Sequence, residues 1–325
     1  ATPMRLKTVL KLFIFAPVFI ALWVLILERL TLRKIDSTEK PSNWGTPRWP
    51  KGHNTKVTTD DGAELAVEIS GTLSGPVIVL VHGLSADHHS LGPIADRLTD
   101  QGCCVVGVNQ RGHGGSTVGS AGFGPERQGL DLGEVLHTLN LENVHLVGHS
   151  MGGIAAMSLL TMGPSSAGKR VTSLTLLSTL ADTAGNMREL FLGLSGRGWY
   201  QNLVDHPVHG PALARLALFG QTPSRQMLDD AMDLGRRCPA PHRIDASLGL
   251  LGYDIRGLLP LIDCPTTVIC GTDDFLTTHS ENQRIADLIP SAQMISVSGA
   301  GHMFVWEEPD QIVEAILLNI MERKE

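Results

Sequence analysis

The chain has 325 residues, enough for one large α/β domain or two smaller ones. Apolar residues make up 42% and charged residues 18%, ordinary values for a globular protein with a sizeable core. A formal net charge of −7 with no dense basic patch excludes nucleic acid as a partner.

Residues 12–27 read LFIFAPVFIALWVLIL without a charge, and Val9 and Leu10 extend the run across Lys11. As a helix, residues 9–27 span roughly 27 Å, against about 30 Å for a bilayer core. Lys11 lies where it can snorkel, and Trp23 where an interfacial aromatic belongs. Glu28-Arg29-Leu30 offers no small-residue cleavage site of the kind that ends a signal peptide. Residues 1–34 are therefore expected to form a single-pass membrane anchor. The alternatives are a helix lying on the bilayer, or one packed on a second copy to give a homodimer. Arg5, Lys7 and Lys11 on one side nearly balance Arg29, Arg33, Lys34 and Lys40 on the other, so the sequence assigns no orientation.

Residues 35–55, polar and punctuated by Pro, Gly and Trp, read as a linker. Strands are expected at Lys56–Asp60, Glu64–Ile69, Val77–Val81, Cys104–Val108, Val144–Val147 and Ser173–Leu177. The first two flank Asp61-Gly62, a hairpin signal. The later ones are continuous apolar runs, as in strands covered on both faces. Helical patterns at Gln128–Leu139 and Ile154–Leu160 fall between them, so residues 56–181 are the first part of a mostly parallel sheet with helices on both sides. The rhythm breaks over residues 182–258, where short helical patterns at Arg188–Leu194, Ala212–Phe219 and Arg225–Leu234 imply a helical insertion. Residues 259–325 complete the core with strands at Thr266–Cys270 and Gln293–Val297.

Gly148-His149-Ser150-Met151-Gly152 fits G-x-S-x-G, directly after a strand run and opening a helical run. A sharp turn there holds the serine in a strained conformation at a helix N-terminus, where unpaired N–H groups favour developing negative charge. A serine hydroxyl needs a base. His302 lies just past the last strand. An acid must orient that imidazole, and Asp274 follows the strand Thr266–Cys270 in Gly271-Thr272-Asp273-Asp274. Asp273 and, more remotely, Asp182 compete for the acid role. The N–H groups of Met151 and of Leu84, after His82-Gly83, are the expected oxyanion donors. The His82 side chain reads as structural.

Thirteen scattered histidines show no metal-ligand spacing beside a matching carboxylate or cysteine set, so no metal or cofactor is expected. Of five cysteines, Cys103 and Cys104 lie in an apolar run and Cys264 and Cys270 beside apolar segments, and they read as buried free thiols.

At His82-Gly83, the segment Asn109–Ser116, the elbow Gly148–Gly153, Gly271–Asp274 and Gly301-His302, the chain resembles the α/β-hydrolase superfamily over roughly residues 56–325. The resemblance implies the α/β-hydrolase fold, with an eight-stranded, mostly parallel sheet and a cap or lid at residues 182–258. It favours Asp274 over Asp273 as the acid and makes Arg111 structural. Asn109 departs from the aspartate that members often carry. A Ser-Met-Gly-Gly elbow with an N-terminal anchor is similar to membrane-bound monoacylglycerol lipases and related esterases. The expectation is a Ser150–His302–Asp274 serine hydrolase of lipophilic carboxylic esters, with His149, Phe191, Trp199 and Phe219, joined by Met227, Met232 and Leu250, as candidate pocket residues. The alternatives are carbon–carbon bond hydrolysis, thioester or lactone hydrolysis or perhydrolysis on the same triad, and a catalytically silent binding protein on the same fold.

Overall fold

The computed structural model describes residues 28–39, 44, 47–183, 193, 197–207 and 209–321. All eight expected strands form: β1 (Gly52–Thr58), β2 (Glu64–Ser70), β3 (Val77–Val81), β4 (Cys104–Val108), β5 (Val144–His149), β6 (Val171–Leu177), β7 (Thr266–Gly271) and β8 (Ala292–Val297). They join in one sheet in the order β1-β2-β4-β3-β5-β6-β7-β8. β1 pairs antiparallel with β2, and β2 antiparallel with β4; every later pairing is parallel. The first hairpin turns where expected, with Gly62 at φ +86°. β1 starts at Gly52 rather than Lys56 because it is an edge strand with mostly exposed residues, so no apolar alternation marks it.

The apolar runs explain the layers. Along β3, Val79 and Val81 face one core while Ile78 and Leu80 face the other. The first core is covered by α3 (Pro125–Thr138), α4 (Met151–Met162) and α10 (His279–Leu288), through side chains such as Leu132, Ile154 and Ile285. The second is covered by α2 (Gly92–Asp100), α11 (Phe304–Glu307) and α12 (Pro309–Met321), through Ile94, Phe304 and Ile316 among others. The short α5 (Ser165–Gly168) precedes β6.

The insertion carries α6 (Gly198–Val204), α7 (His209–Leu218), α8 (Arg225–Arg237) and α9 (Ala240–Gly249). The expected helix Arg188–Leu194 falls, apart from residue 193, outside the described residues. The two ends of the insertion are tied side by side: Thr183 N–H donates to Tyr253 O at 2.8 Å and Ile255 N–H to Ala181 O at 2.9 Å. The sheet thus continues from β6 to β7 undisturbed.

Helical residues 28–36, α1, lie against this insertion. The Glu28 carboxylate meets His209 Nδ1 at 2.8 Å, Asp36 pairs with Arg225 at 2.8 Å, and Ile35 is fully buried. The apolar run at residues 9–27 lies outside the described residues, among which no helix is long and apolar enough to cross a membrane. The five cysteines are buried and free.

Arg111, fully buried, ties the β1–β2 turn to α3. Its five N–H groups reach Asp131 (2.7 and 2.7 Å), Asp61 (3.1 and 3.1 Å) and Gly122 O (2.7 Å). Those bonds hold the Asp61 carboxyl well below the usual carboxylate range. Arg111→Met strips the buried Asp131 of two hydrogen bonds and Asp61 of its counter-charge, and is expected to lower unfolding stability by about 3–5 kcal/mol in denaturant titration. A loss under about 1 kcal/mol contradicts a structural role for the guanidinium.

Candidate active site

β5 ends in a turn that the glycines make possible. Ser150 sits at φ +53°, ψ −119°, and α4 begins at the next residue. A non-glycine residue in that region is strained by about 1–3 kcal/mol and persists only where its surroundings enforce it. Here they do. A Cβ on Gly152 would lie 2.2 Å from Val81 O, so β3 and α4 approach as glycine alone allows. Ser150 N–H donates to Leu177 O at 2.9 Å, and the Thr179 hydroxyl donates to Ser150 O at 2.7 Å.

The loop after β3 runs beside this serine, with an ideal Cβ on Gly83 falling 3.1 Å from Ser150 Cβ. Two neutral histidines brace it. His82 Nε2 accepts from Gln110 N–H at 3.1 Å, so its Nδ1–H donates to Gly83 O at 2.7 Å. His113 Nε2 accepts from Ser85 N–H at 3.2 Å while its Nδ1–H donates to Arg111 O at 2.9 Å. Burial pushes these imidazoles down to about 3 and about 4, which keeps them acceptors. His82 is thus structural, as expected. His113 was missed: it stands inside Arg111-Gly112-His113, but its partner Ser85 is distant in sequence. Among the described residues no backbone carbonyl accepts from the N–H of Leu84 or Met151, and both residues line the same cavity as Ser150.

His302 lines that cavity too. Its Nδ1 meets Asp274 Oδ2 at 2.9 Å, which leaves Nε2 for the cavity side. Asp274 is buried, and its other lone pairs accept from Leu276 N–H (2.8 Å), Thr277 N–H (2.9 Å) and the Thr277 hydroxyl (2.8 Å). Burial alone would raise this carboxyl; the His302 imidazole and the donated hydrogen bonds outweigh it and hold it at about 2. The competitors are placed elsewhere: Asp273 is exposed and bonded to the Thr272 hydroxyl, and Asp182 faces Arg256 at 3.5 Å. His149, fully buried and pushed down to about 3 by that burial, donates from Nε2 to His302 O at 3.0 Å. It forms part of the wall and braces the His302 backbone.

The cavity holds about 330 Å³ between the sheet edge and the insertion. Its apolar wall includes Leu84, Val204, Leu213, Met232, Leu250 and Trp306. Gln201 and the Arg243–Asp205 ion pair add a polar stretch. Met232 and Leu250 line it as expected, but Trp199 and Phe219 do not. Trp199 is 57% exposed on α6, whose other residues Tyr200 and Val204 reach the cavity. Phe219 is buried behind the wall, stacked on Trp44 at 5.8 Å, with Met227 in the same core. Phe191 lies outside the described residues.

Among the described residues one group, Glu68, His88 and His89, brings metal-type ligand atoms within 4.8 Å of one another. None of the three lines the cavity, and both His88 ring nitrogens and His89 Nδ1 are already engaged. His88 meets Glu68 at 3.0 Å and Asn109 Oδ1 at 3.0 Å, and His89 meets Asp87 at 3.1 Å. Asn109 also donates from Nδ2 to Gly114 O at 3.0 Å, a bond that an aspartate at this position would lack.

A family model described as alpha/beta hydrolase fold matches residues 76–309. A 3-oxoadipate enol-lactonase of Acinetobacter baylyi is 27% identical over 276 residues, covering 81% of this chain and 95% of that protein. Among solved structures, an esterase from Exiguobacterium antarcticum superposes with a TM-score of 0.74 at 22% identity, covering 83% of this chain and 100% of its own. A bacterial membrane phospholipase A superposes with a TM-score of 0.71 at 21% identity, covering 98% of this chain and 96% of its own. These two share the fold.

The depressed Asp274 carboxyl has a definite sign. Its ionised form stabilises the folded chain above the unfolded value of about 3.8, and that stability is lost as pH falls towards about 2. In denaturation series from pH 6 to pH 2, the advantage of wild type over Asp274→Asn is expected to shrink below about pH 4. A gap that stays constant to pH 2 contradicts the assignment.

Proposed function

The chain belongs to the alpha/beta hydrolase fold family, and from that membership and the chemistry of the cavity we propose that it hydrolyses lipophilic carboxylic esters through an acyl-enzyme on Ser150. The observation that carries this reading is the sharing of one apolar cavity by Ser150 and by His302, with a buried carboxylate behind the imidazole.

In the first step His302 Nε2 takes the proton of the Ser150 hydroxyl as its oxygen attacks the ester carbonyl. The Leu84 and Met151 N–H groups receive the oxyanion. Asp274, ionised throughout, steadies the imidazolium that forms. The alcohol leaves with the proton from His302, and water then attacks the acyl-enzyme by the same sequence. No metal or cofactor enters these steps.

The apolar wall supports a lipophilic acyl or alcohol part, and the volume lies within the usual range of small-molecule sites. The relative from Acinetobacter baylyi is an enol-lactonase, and a lactone, being a cyclic ester, would open by the attack proposed here; this brings lactones into the proposed substrate class. Residues 9–27 are proposed to hold the chain to a membrane as a single-pass anchor. Alkaline extraction tests this: the full chain should stay with the membrane pellet, and its release into the wash contradicts anchoring.

Ser150→Ala is expected to cut turnover of p-nitrophenyl esters by about 10⁶-fold. Retention of more than about a tenth of wild-type turnover sinks the mechanism. Within wild type, kcat/KM should rise from acetate to medium-chain esters, and a flat series removes the apolar-pocket argument.

A further inference from the structure

Three segments meet behind His302. The loop at residues 299–303 packs on the connection between α7 and α8, residues 218–221. The approach is so close that a Cβ on Gly220 would lie 2.4 Å from Gly299 O, and one on Gly301 2.3 Å from Gly220 N. Met303 N–H donates to Leu218 O across the same junction at 2.7 Å. Into it α11 sends the carboxylate of Glu307, a side chain with no exposed surface. Its Oε2 accepts from Gly301 N–H at 2.6 Å and its Oε1 from Gln221 N–H at 2.9 Å.

A buried carboxylate carries a large desolvation cost, and here burial pushes the carboxyl up to about 7 against the N–H groups that draw it down. A neutral side chain would avoid that cost. What only a carboxylate supplies is two acceptor oxygens, one for each of two segments 80 residues apart (301 and 221). One of those segments holds the peptide next to His302. The other continues α7, whose Leu213, Ala214, Ala217 and Leu218 line the cavity.

We propose that Glu307 is a positioning residue for the reaction assigned above. It fixes the peptide before His302 to the connection that follows the cavity-lining helix α7, so that the imidazole is aligned with the Ser150 hydroxyl. This rests on the serine-hydrolase reading of the site. Glu307 touches neither substrate nor the reacting atoms; it acts through the His302 backbone.

Glu307→Gln keeps the shape but turns one acceptor oxygen into an NH₂ group facing an N–H donor. The full-length variant and wild type are compared for kcat and KM on p-nitrophenyl butyrate, for the inactivation rate with an alkyl fluorophosphonate, and for the low-field NMR signal of the His302–Asp274 proton. The inference predicts a fall of about tenfold to a hundredfold in kcat and inactivation rate, a KM within about twofold, and a shifted or broadened proton signal. Wild-type kcat overturns it, and so does a kcat loss that tracks thermal destabilisation with the proton signal unmoved. Should Glu307→Gln not fold, Glu307→Asp, one methylene too short to span both N–H groups, takes its place. A kcat loss at constant KM then supports the inference, and wild-type kcat overturns it. A wild-type chain inert to the fluorophosphonate overturns the serine reading and this inference together, whereas labelled wild type with an indifferent variant overturns this inference alone.

Discussion

The site depends on how closely α4 lies against β3. Gly152 stands where any side chain would run into Val81 O, and that contact holds Ser150 at a positive φ at the start of the helix. Without it the chain would relax towards an ordinary strand-to-helix connection, and the hydroxyl would leave the cavity. The same contact brings the loop after β3 alongside the serine, so one packing constraint places both the proposed nucleophile and the proposed oxyanion donors. The strain of about 1–3 kcal/mol at Ser150 is set against the apolar burial of the two layers around the sheet, which is far larger.

Four histidines surround this point, and their environments sort them. His82, His113 and His149 are buried without a carboxylate bonded to the ring; burial keeps them neutral, His82 and His113 use both nitrogens on backbone groups, and His149 uses Nε2. His302 differs in having Asp274 on Nδ1. Three imidazoles therefore serve as fixed hydrogen-bonding spacers, and His302 is the one proposed to carry the proton. Two carboxylates behind His302 divide the work in a similar way: Asp274 addresses the ring, and Glu307 addresses the backbone that carries it.

Much of this was legible before any coordinates. The later strands are legible as continuous apolar runs, because strands covered on both faces need no polar one. Ser150 followed from a local pattern whose demands are all local: a strand, small flanking residues and a helix. His302 and the Asp273-Asp274 pair stand just after strand runs, and only the family resemblance favours Asp274 over its neighbour as the proposed acid. The sheet order was not, since the position of β4 between β2 and β3 depends on contacts distant in sequence. The cavity wall was partly misread for a related reason. Trp199 and Phe219 are large apolar residues of the insertion, but size does not say which side of a short helix faces inward. Trp306 lies outside the insertion altogether. Glu307 stands five positions after His302, yet its second partner, Gln221, comes from a segment that only the folded chain brings near.

In the mechanism proposed here, Ser150, His302 and the N–H groups of Leu84 and Met151 converge on one reacting carbon inside the apolar cavity. The most direct measurement is a crystal structure of the protein after inactivation with a long-chain alkyl phosphonate. The account predicts phosphorus bonded to Ser150 Oγ, a phosphonyl oxygen within about 3.1 Å of both N–H groups, His302 Nε2 in hydrogen-bond reach of Oγ, and the alkyl chain along Leu213, Met232 and Leu250. Phosphorus on another residue, or an oxygen turned away from both N–H groups, would contradict it.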